Sequence, residues 1–140
     1  MTADKIKGYF EYVMSSLGFF YTWEKDFAVM TSGAGGVRWK TAVKCLEDGL
    51  AFYSSYPWRI KGYEERLKSI EYINKLNSES GFGCYFLLEL FREAGYIIVY
   101  RRGVLIPDEY SAMECIENGL KNFCSEFYSE WTGIFRLLNI

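Results

Sequence analysis

VRWKTAVKCLEDGLAFYSSYPWRI, residues 37–60, decides how the rest of the chain is read. Val37, Trp39, Thr41, Val43 and Cys45 alternate with Arg38, Lys40, Ala42 and Lys44, the period of two that marks a strand with unlike sides. Asp48-Gly49 has the chemistry of a two-residue hairpin turn, because both central positions must accept positive φ. Centred there, the turn sets Cys45 opposite Phe52, Trp39 opposite Trp58 and Val37 opposite Ile60. These apolar partners share one side of the ribbon, an arrangement that a one-residue slip would spoil. The other side collects Arg38, Lys40, Lys44 and Arg59.

Working outward, Ser32-Gly33-Ala34-Gly35-Gly36 reads as a flexible connection between strands. Before it, Phe19 to Trp23 and Phe27 to Thr31 look like short strands around the polar turn Glu24-Lys25-Asp26. Ile6, Tyr9, Phe10, Val13 and Leu17 recur at the spacing of an amphipathic helix, with Asp4 in its first turn and Gly18 at its stop. Beyond the hairpin, Tyr63, Leu67, Ile70, Ile73 and Asn77 describe the stripe of a second helix. Two strands follow, about residues 83–91 and 96–106, joined by Arg92-Glu93-Ala94-Gly95. Pro107 suits the start of a long closing helix, whose apolar stripe runs through Ile116, Leu120, Phe123, Phe127, Trp131, Ile134 and Leu138. Gly119 and Gly133 weaken it, and a bend or break near Gly133 is expected.

Strands in runs, not alternating singly with helices, indicate an α+β fold with helices on one face of the sheet. The expected architecture is an antiparallel sheet of about five strands, in the order α-β-β-β-α-β-β-α, with residues 1–140 forming one domain. Half of the residues are apolar and 19% are aromatic, which supplies a core without a disulfide or metal staple.

The same composition narrows the chemistry. There is no histidine, which removes Ser-His-Asp and Cys-His nucleophilic arrangements and the usual general base near neutral pH. Four cysteines, Cys45, Cys84, Cys115 and Cys124, lie far apart without the close pairs that zinc needs, and read as small buried hydrophobes. In the glycine loop a P-loop would need glycine where Trp39 precedes Lys40-Thr41, and a dinucleotide fingerprint would need it at Arg38. Paired carboxylates at Glu64-Glu65 and Asp108-Glu109 sit at expected helix starts, where the dipole accounts for them. No enzyme, metal or cofactor is therefore expected. No apolar stretch approaches a membrane span or a signal peptide, so a cytoplasmic protein is expected.

Two polar features remain as candidate sites. The first is the basic side of the hairpin, Arg38, Lys40, Lys44 and Arg59, with Arg101, Arg102, Tyr53 and Tyr100 near it in the pattern. It reads either as a solvated face that blunts edge-to-edge aggregation or as a nucleic-acid surface, although a net charge of −2 argues against a nucleic-acid partner. The second feature is Asn74 and Asn77, which read as a helix-end polar face with a cap or as binding residues. The large rings, Trp39, Trp58, Phe82, Tyr85, Phe86 and Phe123 among them, are core by spacing. Their number could still leave an apolar groove where sheet meets helix, as surfaces that bind other proteins do.

From Arg66 to Asn77, over RLKSIEYINKLN, then Gly83 to Leu87 and Gly95 to Arg101, the chain resembles the bacterial YbjN family. The fold of that family is similar to type III secretion chaperones. The resemblance implies a helix–sheet–helix sandwich, often dimeric, without enzymatic activity and with no catalytic residues to carry over. A non-enzymatic module that binds another protein, chaperone-like or adaptor, is then the leading expectation, with a homodimer as one form of it. A nucleic-acid-binding module using Arg38, Lys40, Lys44 and Arg59 is the alternative, and a small-molecule pocket between sheet and helices a third.

Overall fold

A computed structural model describes residues 1–92 and 94–139. Helix α1 (Ala3–Leu17) opens the chain, capped by Thr2, whose side chain accepts from the Lys5 N–H at 3.3 Å. Gly18 ends it in the left-handed region, φ 70°, with its N–H turned back to the Met14 and Ser15 carbonyls. Four strands follow: β1 (Thr22–Glu24), β2 (Phe27–Ala34), β3 (Val37–Leu46) and β4 (Gly49–Ser55). After helix α2 (Tyr63–Glu79) come β5 (Cys84–Leu90) and β6 (Gly95–Leu105), and then helices α3 (Ala112–Ser129) and α4 (Trp131–Asn139). Every strand pair is antiparallel, and the sheet runs β1-β2-β3-β4-β6-β5.

The fold is α+β, as expected, with six strands where about five were expected: four strands, not three, stand between α1 and α2, and the closing helix is two, so the order is α-β-β-β-β-α-β-β-α-α. All four helices bury their apolar faces against one side of the sheet. Ile6, Phe10, Val13 and Met14 of α1, Ile73 and Leu76 of α2, Ile116, Phe123 and Phe127 of α3 and Ile134 of α4 join a single core cluster. From the sheet it takes Ala28, Met30, Trp39, Val43, Leu50, Phe52, Tyr85, Ile98 and Tyr100. Rings stack through it: Tyr56 lies 4.1 Å from Phe127, and Phe123 lies 5.4 Å from both Phe52 and Tyr100. Burying rings of this size supplies most of the cohesion of such a core.

Four local expectations need correction. The β3–β4 hairpin turns at Glu47-Asp48, so Cys45 faces Leu50, Val43 faces Phe52 and Thr41 faces Ser54, two residues away from the expected register. A shift of two keeps each side chain on its side. Gly49 serves close approach and not positive φ: a Cβ there would run into the Val104 carbonyl of β6, while Asp48 takes φ 56°. The turn is further pinned because the Asp48 carbonyl accepts from Ile106 N–H at 2.8 Å and its carboxylate holds the N-terminal ammonium.

Trp39 pairs with Ser32 and not Trp58, and Val37 with Ala34, because β4 ends at Ser55 and the chain turns away. Ile60 bridges to Tyr96 of β6 instead. The two tryptophans still share a neighbour, Trp131, at 5.8 and 4.9 Å.

The glycine-rich segment is a tight hairpin, not a loose connection. Strand β2 continues to Ala34, and Gly35 and Gly36 alone make the turn, at φ 55° and 82°. Gly35 also lies so close to the Tyr128 ring that a Cβ would overlap it.

The closing helix begins at Ala112 and not at Pro107, after Asp108 has captured the Ser111 N–H at 2.8 Å, and it breaks at Glu130, close to Gly133 as expected. Gly133 is needed because Tyr72 of α2 packs where its Cβ would be. Finally, α2 is turned from its expected stripe: Ser69, Ile73 and Leu76 are buried, while Tyr63, Leu67 and Ile70 are 67%, 43% and 40% exposed. Of the expected turn at residues 92–95, Glu93 lies outside the described residues.

Candidate functional site

Alternation along each strand dictates that the sheet has a second side, and the register states what stands there. Cross-strand partners line up as Val29, Ala42, Tyr53, Arg101 and Cys84; on one flank of that row Thr31 faces Lys40, and on the same flank Val99 stands between Ser55 and Phe86. Ile97 faces Leu88 beyond them, and Phe27 faces Lys44 on the other flank. None of these side chains belongs to the core cluster. Antiparallel sheets commonly turn a polar side to water. This one turns Phe27, Val29, Tyr53, Phe86, Leu88 and Ile97, which line a trough of about 500 Å³.

The basic residues singled out from the sequence divide. Arg38, Lys40 and Lys44 all stand on the open side of β3, Lys40 lining the trough and Lys44 with its ammonium 5.7 Å from the Phe27 ring. Arg59 lies in the segment after β4, outside the strand ribbon, because the hairpin ends four residues earlier. Arg101 also belongs to the open side. Its Nε donates to the Tyr53 hydroxyl at 3.1 Å, a bond that raises the guanidinium pKa further, and its plane lies 5.5 Å from that ring. Arg102 and Tyr100 point to the covered side, where both meet the Glu126 carboxylate, the tyrosine hydroxyl donating at 2.5 Å.

The asparagines divide as well. Asn77 presents both ends of its amide to the Tyr85 backbone, donating to the carbonyl at 2.9 Å and accepting from the N–H at 2.7 Å. It thereby occupies the free edge of β5 much as a neighbouring strand would, which protects an edge that could otherwise pair with another chain. Asn74 is exposed one turn earlier, in line with Tyr63, Leu67 and Ile70.

Sequence reasoning found the cations of the open side and missed its apolar members. Phe86 was placed in the core with Phe82, which is in fact exposed. The signal was present in the runs Leu50-Ala51-Phe52-Tyr53 and Ile97-Ile98-Val99-Tyr100, where consecutive apolar residues must supply both sides of a strand.

The perturbed tyrosines sit on the covered side: burial, first of all, pushes the Tyr56, Tyr85 and Tyr100 hydroxyls well above the tyrosine range, and nearby carboxylates add to it. A phenol so shifted stays protonated and makes a poor base. Burial likewise pushes the Cys45 thiol up to about 11, away from the thiolate a nucleophile needs. Among the described residues no three His, Cys, Asp or Glu side chains converge to hold a metal, and no helix is long and apolar enough to cross a membrane.

No protein-family model and no curated protein matches the sequence. A solved structure matches in fold: the crystal structure of YbjN from E. coli, a proposed transcription regulator, superposes with a TM-score of 0.56 over 86% of this chain and 89% of that one. The fold is that of YbjN. Sequence identity to YbjN is 12%, so what is shared is the path of the chain through helices and sheet. The resemblance read from residues 66–101 therefore holds at the level of fold.

Proposed function

We propose that this chain is a non-enzymatic adaptor or regulatory module that binds another protein on the open side of its sheet. The observation that carries this reading is the apolar trough between Phe27 and Leu88, opposite the helices. Contiguous exposed apolar surface with a polar margin is what protein partners cover. The margin carries Lys40 and Glu24 at the trough, with Arg38 and Lys44 further along β3, so along that strand it complements a partner segment that is apolar on one face and acidic at its border. A helix laid across the strands offers such a face. A second copy of the chain would use the same surface, and a homodimer held that way comes apart when Leu88 is replaced by Asp.

The test uses the 140-residue chain and its Leu88→Asp variant as baits in extract of the source cells. A protein retained by the parent and lost from the variant supports the reading, and equal retention by both ends it.

One observation favours a second reading. Lys40, Lys44 and Arg101 share their side with the rings of Phe27, Tyr53 and Phe86, the combination of cations and stacking platforms that single-stranded nucleic acids use. A role like that proposed for YbjN would suit it. Binding of a single-stranded RNA that weakens steeply with salt and is lost in Lys40→Ala/Lys44→Ala would establish this reading. No binding at low salt would exclude it.

A further inference from the structure

On the covered side, between the C-terminal end of α1, strand β2 and helix α3, lies a separate hollow of about 610 Å³. Pockets for small molecules run from roughly 300 to 1,000 Å³. Leu17, Met30, Leu120 and Phe123 make its walls apolar. Ser32 and Thr41 form a polar spot on its floor, and Cys124 lines it as well. Glu117 and Lys121 at the rim pair with each other at 3.2 Å.

The hydroxyls show what the hollow is built to take. Ser32 Oγ lies 2.8 Å from Thr41 Oγ1, which lies 3.0 Å from Ser54 Oγ. Three hydroxyls bring three hydrogens to two hydrogen bonds, so one hydrogen is left over: on Ser32, on Ser54, or on Thr41 if both neighbours donate to it. At the inner end, Ser54 is 3% exposed and meets no acceptor among the described residues except Thr41. Stranding the hydrogen there would leave a buried donor unpaired, the costlier arrangement. Ser54 therefore donates to Thr41, and the spare hydrogen is that of Ser32 or of Thr41, both of which line the hollow beside the weakly accepting sulfur of Cys124. A charged ligand finds no free opposite charge inside, and burying it unpaired is prohibitive.

We propose that this hollow binds an uncharged, largely apolar small molecule whose single acceptor oxygen, carbonyl or ether, takes the spare hydrogen of the Ser32–Thr41 hydroxyl pair. This site is independent of the trough on the other side of the sheet.

The probe is 6-propionyl-2-(dimethylamino)naphthalene, an uncharged ketone whose emission moves to the blue in apolar surroundings. Titrated with the whole chain, it should show one saturable site. Ser32→Ala/Thr41→Val, which removes both hydroxyls at the hollow, should weaken binding about two- to tenfold, the effect of losing one neutral hydrogen bond. Leu120→Trp, which fills the hollow, should abolish it. Because a variant can fail for lack of folding, the unaltered chain supplies a second measurement, labelling with N-ethylmaleimide read by peptide mass at Cys124 and at the exposed Cys84 of the open side. The ketone should slow Cys124 severalfold and leave Cys84 unchanged. Absence of a saturable site, undiminished binding by both variants, or protection of Cys84 in place of Cys124 would each overturn the proposal.

Discussion

The two sides of this sheet are made of the same kinds of residue and differ in what has been laid on them. On the covered side Phe52, Tyr100 and Tyr85 meet Phe10, Phe123 and Phe127 in a closed core, and even the polar members, Thr41 and Ser54, are paired with each other. On the open side Phe27, Tyr53, Phe86 and Leu88 are as apolar, yet no helix crosses them and lysine and arginine fringe them. The fold could have finished this side with polar residues, as antiparallel sheets commonly do. An apolar side left uncovered serves something other than the stability of the chain, and that is the physical basis for reading it as an interface.

The comparison breaks most readily through the core. Phe52→Ala, on the covered side, should cost about 3–5 kcal/mol by denaturant unfolding, because the cavity lies among rings that cannot collapse into it. A loss under about 1 kcal/mol would mean that the covered side is not the cohesive one.

Titration sharpens the contrast next. Tyr56, Tyr85 and Tyr100 have folded-state pKa values raised above the ordinary 10.0, chiefly by burial, so the folded state holds their protons more tightly than the unfolded state. Their contribution is fully present below pH 10 and is lost as the pH rises above it, by up to about 1.4 kcal/mol per pH unit for each group. Equilibrium unfolding between pH 8 and 12 should stay level and then fall. A level profile to pH 12 would contradict the burial of these hydroxyls.

Smaller effects belong to the edges. Asn77→Ala removes two hydrogen bonds that close the edge of β5 at Tyr85, and should cost about 1 kcal/mol while exposing the Tyr85 amide to hydrogen exchange. Smallest of all should be Leu88→Asp on the open side. Leu88 is 46% exposed and leaves no cavity, so stability should move by no more than about 0.5 kcal/mol.

How far the sequence allowed this to be foreseen follows from the same two sides. Strand β3 was legible because its sides differ: Trp39, Thr41 and Val43 alternate with Arg38, Lys40 and Lys44, and the structure keeps that division. Strands β4 and β6 were legible as strands only, since Leu50-Ala51-Phe52-Tyr53 has no polar residue to tell in from out. The uncovered trough was hidden for that reason. Gly49 suggested the wrong turn centre because glycine answers two demands, positive φ and close approach, and only contact with Val104 of a strand some fifty residues later distinguishes them. Gly35-Gly36 was a turn signal passed over in favour of a loop. In α2 the apolar residues fall on two faces, and Tyr63, Leu67 and Ile70 made the longer stripe without being the buried one. The buried stripe includes Ser69, whose hydroxyl is satisfied by the Glu65 carbonyl at 2.7 Å within the helix itself.

The claim that the open side is the one a partner covers is tested most directly by hydroxyl-radical footprinting of the chain, alone and in the complex recovered from source-cell extract. Protection of Phe27, Phe86 and Leu88, with Tyr63 and Leu67 of α2 oxidised as before, is the result expected. Protection of the α2 stripe with the trough still open to oxidation would contradict it.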